Sequence, residues 1–354
     1  MVPIEELEAR LEKILLYDGE AGLNALRDRA REIADELRWN AEFKRLDGLI
    51  GVLLGTRRGK VASPVAQARA AGEPFDDTCL NRLTLLFAEL RAPLPVVKDV
   101  FSAVGHTRNK AFFEAYFSNY IEGTTFEVSE AEEILFDKRI SANRPKDSHD
   151  IAGTFAIVSD QNEMLRTPED FDELLQLLCS RHKTMLAQRP EAEPGQFKTK
   201  SNRAGDTHFV HPDYVRGTLH KGWDLYRGLA EGLPRAIFLA FLVGDVHPFV
   251  DGNGRLLRIM MNAELTAAGQ STIIIPTVFR DDYLQSLRAL SRRHRPEPFV
   301  KALVKAQRFS HREFSPYPAI LQELTRRNWF REPEEARLVE EPLPGQPRRG
   351  GAAQ

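Results

Sequence analysis

The sequence predicts an all-α protein interrupted by one small β-hairpin. Three observations carry this. Apolar residues recur with the ~3.6-residue period of a helix along most of the chain. The run AIFLAFLV, residues 236–243, is apolar on every face, which marks a helix buried at the centre of a helical domain. A pair of short segments around a turn signal, SNRAGD, stands out only within residues 195–212.

The elements follow in order. Ile4, Leu7, Leu11, Ile14 and Leu15 form one stripe, and Leu26, Ile33 and Leu37 a second. Phe43, Leu46, Leu49, Ile50, Leu53 and Leu54 form a third. The Gly-, Pro- and Ala-rich RRGKVASPVAQARAAGEP interrupts before a helix around 81–90, and RAPLPVVKD reads as a connector. Residues 1–95 are therefore expected to be a helical N-terminal extension, and residues 96–310 the main domain. KAFFEAYFSNYIEG reads as a helix closed by Gly123. Ser129 with Glu132 predicts a capping box, and Thr167 with Pro168 the start of a helix whose stripe is Phe171, Leu174, Leu175, Leu178 and Leu186. After the hairpin, helices are expected over 213–229, 234–245, 254–268 and 281–293, with a last helical segment in 311–330. From 331 to 354 Pro, Gly, Glu and Arg dominate, the composition of a disordered tail.

Composition narrows the function classes. A net charge of -2 over 354 residues makes no global case for nucleic acid or an acidic membrane as partner. Cys79 and Cys179 show neither metal-ligand spacing nor a disulfide framework. The N-terminus is amphipathic and acidic where a secretory signal is basic, and no apolar run reaches the ~18–20 residues of a membrane span. A cytoplasmic protein is expected.

The chemistry concentrates in HPFVDGNGRLLR, residues 247–258, the joint between two core helices. Gly252, Asn253 and Gly254 place backbone N–H groups at a helix N-terminus, and the glycines allow close backbone approach, so the turn forms an anion cradle suited to phosphate. Arg255 and Arg258 lie three apart on one helix face and suit a polyphosphate. Asp251 suits a hard cation such as Mg²⁺. His247, with an ordinary pKa of ~6.5, suits a general base. Together these parts describe transfer of a phosphate-containing group to a hydroxyl. Competing motifs fail. In a calcium-loop register Phe249 and Met260 occupy two ligand positions, Leu257 stands where a dinucleotide-binding turn needs its third glycine, and GTRRGK at 55–60 has the wrong spacing for a phosphate loop.

HPFVDGNGRLLR matches, at every defined position, the H-x-F-x-[D/E]-G-N-G-R-x-x-R signature of the Fic family, which the chain resembles from about residue 110 to 310. The resemblance implies a Fic fold with a hairpin flap, and transfer of AMP from ATP, with Mg²⁺, to a Ser, Thr or Tyr hydroxyl of a target protein. His247 would take the hydroxyl proton and Asp251 would ligate Mg²⁺. Asn253 with the Gly252 and Gly254 backbone would hold phosphates, Arg255 and Arg258 would bind their β/γ end, and Phe249 would anchor the loop. SNYIEG fits the inhibitory pattern [S/T]-x-x-x-E-[G/N] of similar proteins with Ser118, Glu122 and Gly123, in a helix near 112–123. Glu122 would compete with ATP for Arg258. At the flap, Lys198, Thr199, Phe209 and Val210 would contact the target as an added strand. Removal of AMP, action in both directions, and nucleotide binding without turnover remain open beside AMP transfer. Homodimerisation is a family-level expectation. His208 and His211 read as surface residues and His182 as a packing residue on a core stripe. Tyr283 fits core packing and a nucleotide pocket equally. SRRHRPEP at 291–298 reads as a solvated helix end.

Overall fold

The structure, a computed structural model, describes residues 3–57, 59–205 and 207–340. They divide into two compact units. One comprises the residues up to Asn81 together with 199–222, and the other comprises 82–198 and the chain from Trp223 onward.

The first unit is built on α1 (Ile4–Leu37), α2 (Asn40–Leu53) and α3 (Pro64–Ala70). The first two sequence stripes are halves of α1, broken at Gly19, which adopts φ 68 and ψ −170. Leu11, Leu23, Leu49, Ile50, Leu53 and Ala66 form the core, with Leu26 packed against it. Ile33 and Leu37 of the second stripe are exposed instead. Two buried carboxylates brace the unit. Glu8 accepts hydrogen bonds from the N–H groups of Ala62 and Ser63, just ahead of α3. Glu12 pairs with Arg69 at 2.7 Å and accepts from the Tyr214 hydroxyl at 2.9 Å. The expected hairpin is present but short: β1 (Arg203–Ala204) pairs antiparallel with β2 (Thr207–His208).

The boundary between the units falls within α4 (Asp77–Leu90) and α10 (Val215–Tyr226). The second unit holds α5 (His106–Ile121), α6 (Val128–Leu135), α7 (Pro145–Val158), α8 (Gln161–Met164) and α9 (Phe171–Met185). It continues with α11 (Leu233–Val246), α12 (Asn253–Ala267), α13 (Arg280–Arg293), α14 (Glu297–Ser310) and α15 (Tyr317–Arg326). As its all-round apolar sequence predicts, α11 is buried, from Ala236 through Val243. It packs along α12, which also touches α5, α7 and α9. Helix α5 is nearly as buried as α11, because Phe112, Phe113 and Phe117 enter an aromatic cluster with Phe314, Tyr317, Trp329 and Phe330.

Two predicted helix starts are corrected. Helix α6 opens after Glu127 with no side-chain cap, so Ser129 and Glu132 lie inside it and form no capping box. Helix α9 opens at Phe171, because Asp170 accepts the Glu173 N–H at 2.8 Å, which leaves Thr167 and Pro168 ahead of the helix. Residues 331–340, placed by composition in a disordered tail, are held by the Val339 N–H to Arg327 O and by Asn328 to Arg337 O. The rest of that stretch, 341–354, lies outside the described residues. No helix among the described residues is long and apolar enough to cross a membrane.

Candidate active site around His247

The joint between α11 and α12 is held by its own side chains. The Asn253 side chain accepts from Phe249 N at 3.0 Å and donates to Phe249 O at 2.9 Å, closing the loop into a ring. Its amide is thereby committed to the loop, so toward a phosphate Asn253 offers its backbone N–H. Phe249 is fully buried and stacks on His182, with ring centroids 3.9 Å apart and planes 8° from parallel. Asp251 accepts the Gly252 N–H at 2.6 Å. Gly252 has φ 76, and a Cβ there would lie 2.8 Å from Leu186 Cδ1 and 2.9 Å from Met185 Cε, so the position requires glycine.

His247 ends α11 in the left-handed region, φ 53 and ψ 59, which turns its ring back over the helix end. Its Nδ1 lies 3.2 Å from Gly244 O. That carbonyl can only accept, so Nδ1 carries the proton and the lone pair is on Nε2. Burial lowers the imidazole pKa to about 4, and the neighbouring Lys198 ammonium acts in the same direction. The ring is therefore neutral near pH 7, the state a general base needs.

The two arginines have different partners. Arg258 is buried and donates from Nε to Ser118 Oγ at 2.9 Å, and from Nη2 to Ser118 O and Glu122 Oε1, both at 2.8 Å. Tyr283 is buried beside Arg258. Glu122 caps the end of α5, and Gly123 follows with φ 90. The Glu122 carboxylate comes so close to α12 that a Cβ on Gly254 would lie 2.1 Å from Oε1. It therefore stands at the N-terminus of α12, where orphan N–H groups and the helix dipole favour an anion. Arg255 instead pairs with buried Asp150 of α7 at 2.7 Å, and Asp150 also takes Arg189 at 2.8 Å. Asn119, next to Ser118, lies 3.4 Å from Arg255. The shared face expected for Arg255 and Arg258 thus resolves into one arginine on α7 and one on α5.

The four candidate target contacts differ in exposure. Thr199 is exposed and Phe209 half-buried, but Lys198 and Val210 are only 3% and 2% exposed. The Lys198 N–H donates to Pro248 O at 2.9 Å and its ammonium lies 3.4 Å from Val246 O, so it serves the His247 loop and does not face an arriving chain.

Comparison with known proteins agrees with this geometry. The family model described as Fic/DOC matches residues 142–265, a span that contains the whole His247–Arg258 loop, α7 and α9. Residues 142–265 thus form a Fic/DOC domain. Protein adenylyltransferase Fic of Drosophila willistoni is 27% identical over 232 residues, covering 62% of this chain and 45% of that protein. Protein adenylyltransferase fic-1 of Caenorhabditis elegans is 24% identical over 221 residues, 59% of this chain and 43% of that one. The matches thus span less than half the length of these relatives. A solved structure of Fic-1 from C. elegans superposes with a TM-score of 0.51 at 18% identity, over 91% of this chain and 98% of that one, a likeness of fold.

The Fic domain can accommodate a hard cation at Asp251, whose side chain is 58% exposed. Among the described residues no three His, Cys, Asp or Glu side chains gather at one point. A single carboxylate suits Mg²⁺, which takes one or two from protein and the rest from phosphate and water. Three residues around the loop escaped sequence reasoning: His182, Asp150 and Asn119. Only His182 left a signal, as a polar residue on an otherwise apolar stripe.

Proposed function

We propose that the Fic domain transfers AMP from ATP to a hydroxyl side chain of a target protein, and that Glu122 restrains it. The observation that carries this reading is the Glu122 carboxylate seated against Gly254 and paired with Arg258. A carboxylate there takes the place that the helix N-terminus and the arginine offer to phosphate oxygens. The names of the similar proteins, protein adenylyltransferases, support the same chemistry.

With Glu122 displaced, the backbone N–H groups at the start of α12 would cradle the phosphates and Arg258 would take their far end. His247 Nε2 would accept the proton of the target hydroxyl. The hydroxyl oxygen would bond to the α-phosphorus as the bond to the bridging oxygen breaks, and pyrophosphate would leave with the electron pair. Asp251 would hold Mg²⁺, which supplies charge neutralisation on the phosphates. Arg255, fixed by Asp150, would support the loop from behind.

Incubation with α-labelled ATP and Mg²⁺, with cell lysate as a source of targets, tests this. Glu122→Gly should raise protein labelling by at least about tenfold, the scale of a 1–3 kcal/mol coupling. Glu122→Gly/His247→Ala should abolish it. Equal labelling by wild type and Glu122→Gly would remove the restraining role. ATP binding with no label in any variant would make the domain a nucleotide-binding module, and Glu122-dependent loss of AMP from a modified target would reverse the direction.

A further inference from the structure

His182 lies on α9, outside the 247–258 stretch, and is fully buried. A histidine that only filled space would not need both ring nitrogens bonded, yet both are. The Gly195 N–H donates to Nδ1 at 2.9 Å, so Nδ1 holds the lone pair and Nε2 carries the proton. Nε2 then donates to the main-chain oxygen of Asp251 at 3.0 Å. The ring face stacks on Phe249, whose own N–H and C=O are held by Asn253. Gly252 packs directly on Met185 and Leu186. The loop is thus fixed to the end of α9 by a ring stack, a hydrogen bond and a close-packed glycine. The same imidazole draws in residues 195–198, where the Phe197 ring lies 5.2 Å from Phe249 and the Lys198 N–H reaches Pro248 O.

We propose that His182 is a positioning residue: by holding the Asp251 carbonyl through Nε2–H, it sets the peptide that carries the carboxylate for Mg²⁺, and so controls the metal-dependent part of nucleotide binding. The Asp251 side chain is mostly exposed, held locally by the Gly252 N–H at 2.6 Å and 3.8 Å from Arg255, and its main-chain oxygen is what ties it to α9. Groups that orient a metal ligand from behind contribute about 10–100-fold to metal affinity. The inference rests on the proposed site for its chemistry, since it takes Asp251 as the metal ligand.

The experiment uses the Glu122→Gly chain as parent, so that Arg258 is available to phosphate. His182→Phe keeps the stack and the apolar volume but removes both hydrogen bonds, and His182→Gln restores an N–H donor. Thermal unfolding and calorimetric ATP affinity are measured in EDTA and in Mg²⁺. His182→Phe should melt cooperatively, keep its EDTA affinity within about twofold, and lose about tenfold of the gain that Mg²⁺ brings. His182→Gln should recover most of that gain. Equal Mg²⁺ gains in all three chains, or no gain in the parent, overturn the proposal. A parallel fall in Tm and EDTA affinity in both variants also overturns it, in favour of a packing role. Should His182→Phe fail to fold, His182→Asn, whose Oδ1 can accept from Gly195 but whose Nδ2 is too close to the main chain to reach the Asp251 oxygen, replaces it under the same criteria. A parent that binds Mg²⁺ and ATP but transfers no AMP would defeat the functional reading while the binding comparison still decides the role of His182.

Discussion

Arg258 gives two hydrogen bonds to Ser118 and one to Glu122, so the arginine is prepositioned by α5 whichever anion it meets. Removing Glu122 leaves the two Ser118 bonds in place, which is why Glu122→Gly should release the site without unseating the arginine. His247 carries a second consequence at this scale. Its pKa is lowered to about 4, first by burial, with Lys198 assisting and Glu122 and Asp251 opposing. A lowered imidazole pKa extends the neutral, basic form toward acid. In Glu122→Gly, the acid limb of kcat/KM for AMP transfer should therefore fall well below the ordinary ~6.5 of histidine and approach pH 4. Substitution removes one opposing carboxylate, which moves the limb in the same direction. A limb at or above pH 6.5, measured on a target whose own groups do not titrate there, would contradict a buried neutral base.

At the scale of elements, α12 and the loop ahead of it are the post to which α5, α7 and α9 are tied, through polar contacts and, at Gly252, through close packing. Helix α5 reaches it through Ser118, Asn119 and Glu122, α7 through Asp150, and α9 through Gly252 and His182. The Asp150 tie is the most buried ion pair of the site, with side chains 2% and 4% exposed. Asp150→Ala would leave the Arg255 guanidinium buried without its carboxylate and strip one of two carboxylates from Arg189. Loss of one partner of a buried pair costs about 3–5 kcal/mol. Urea unfolding of Asp150→Ala should show that loss, with an unchanged m-value. A loss under about 1 kcal/mol would mean that Asn119 and Asp251 satisfy Arg255 without Asp150. Helix positions were legible from sequence because periodicity is local. Helix starts were less so: the capping side chains at 129 and 167 were plausible, yet Asp170 won at α9 because its carboxylate meets the Glu173 N–H.

Over the whole molecule, burial sets how stability responds to acid. His182 and His247 have pKa values near 4, and those of His106 and His311 are also lowered by burial. An unfolded chain binds protons on these rings below ~6.5 while the folded chain does not, so their contribution is fully present above pH 6.5 and is lost as pH falls toward 4. Glu114 and Glu264 oppose this: burial raises both, Glu114 to about 7, so their penalty is relieved as the pH falls. Four lowered imidazoles stand against two raised carboxyls, so a net loss is expected between pH 6.5 and 4. Urea midpoints at pH 7 and pH 5 should show the decline, and a flat profile would mean that the buried carboxyls offset the histidines. By itself the sequence determined the helical class, the single hairpin, the buried helix at 236–243 and the set of chemical groups offered at 247–258. All of these are written in neighbouring residues, through periodicity, glycine placement and the order of one short motif. Only the tertiary structure decided the other pairings: Arg255 with Asp150, Arg258 with Ser118, Lys198 under the loop, and His182 on the Asp251 carbonyl; that of Arg258 with Glu122 was already implied by the family resemblance. Those partners stand far apart along the chain, and they meet because α5, α7 and α9 pack around one end of α12, a consequence of burying aromatic and aliphatic surface that no local pattern records.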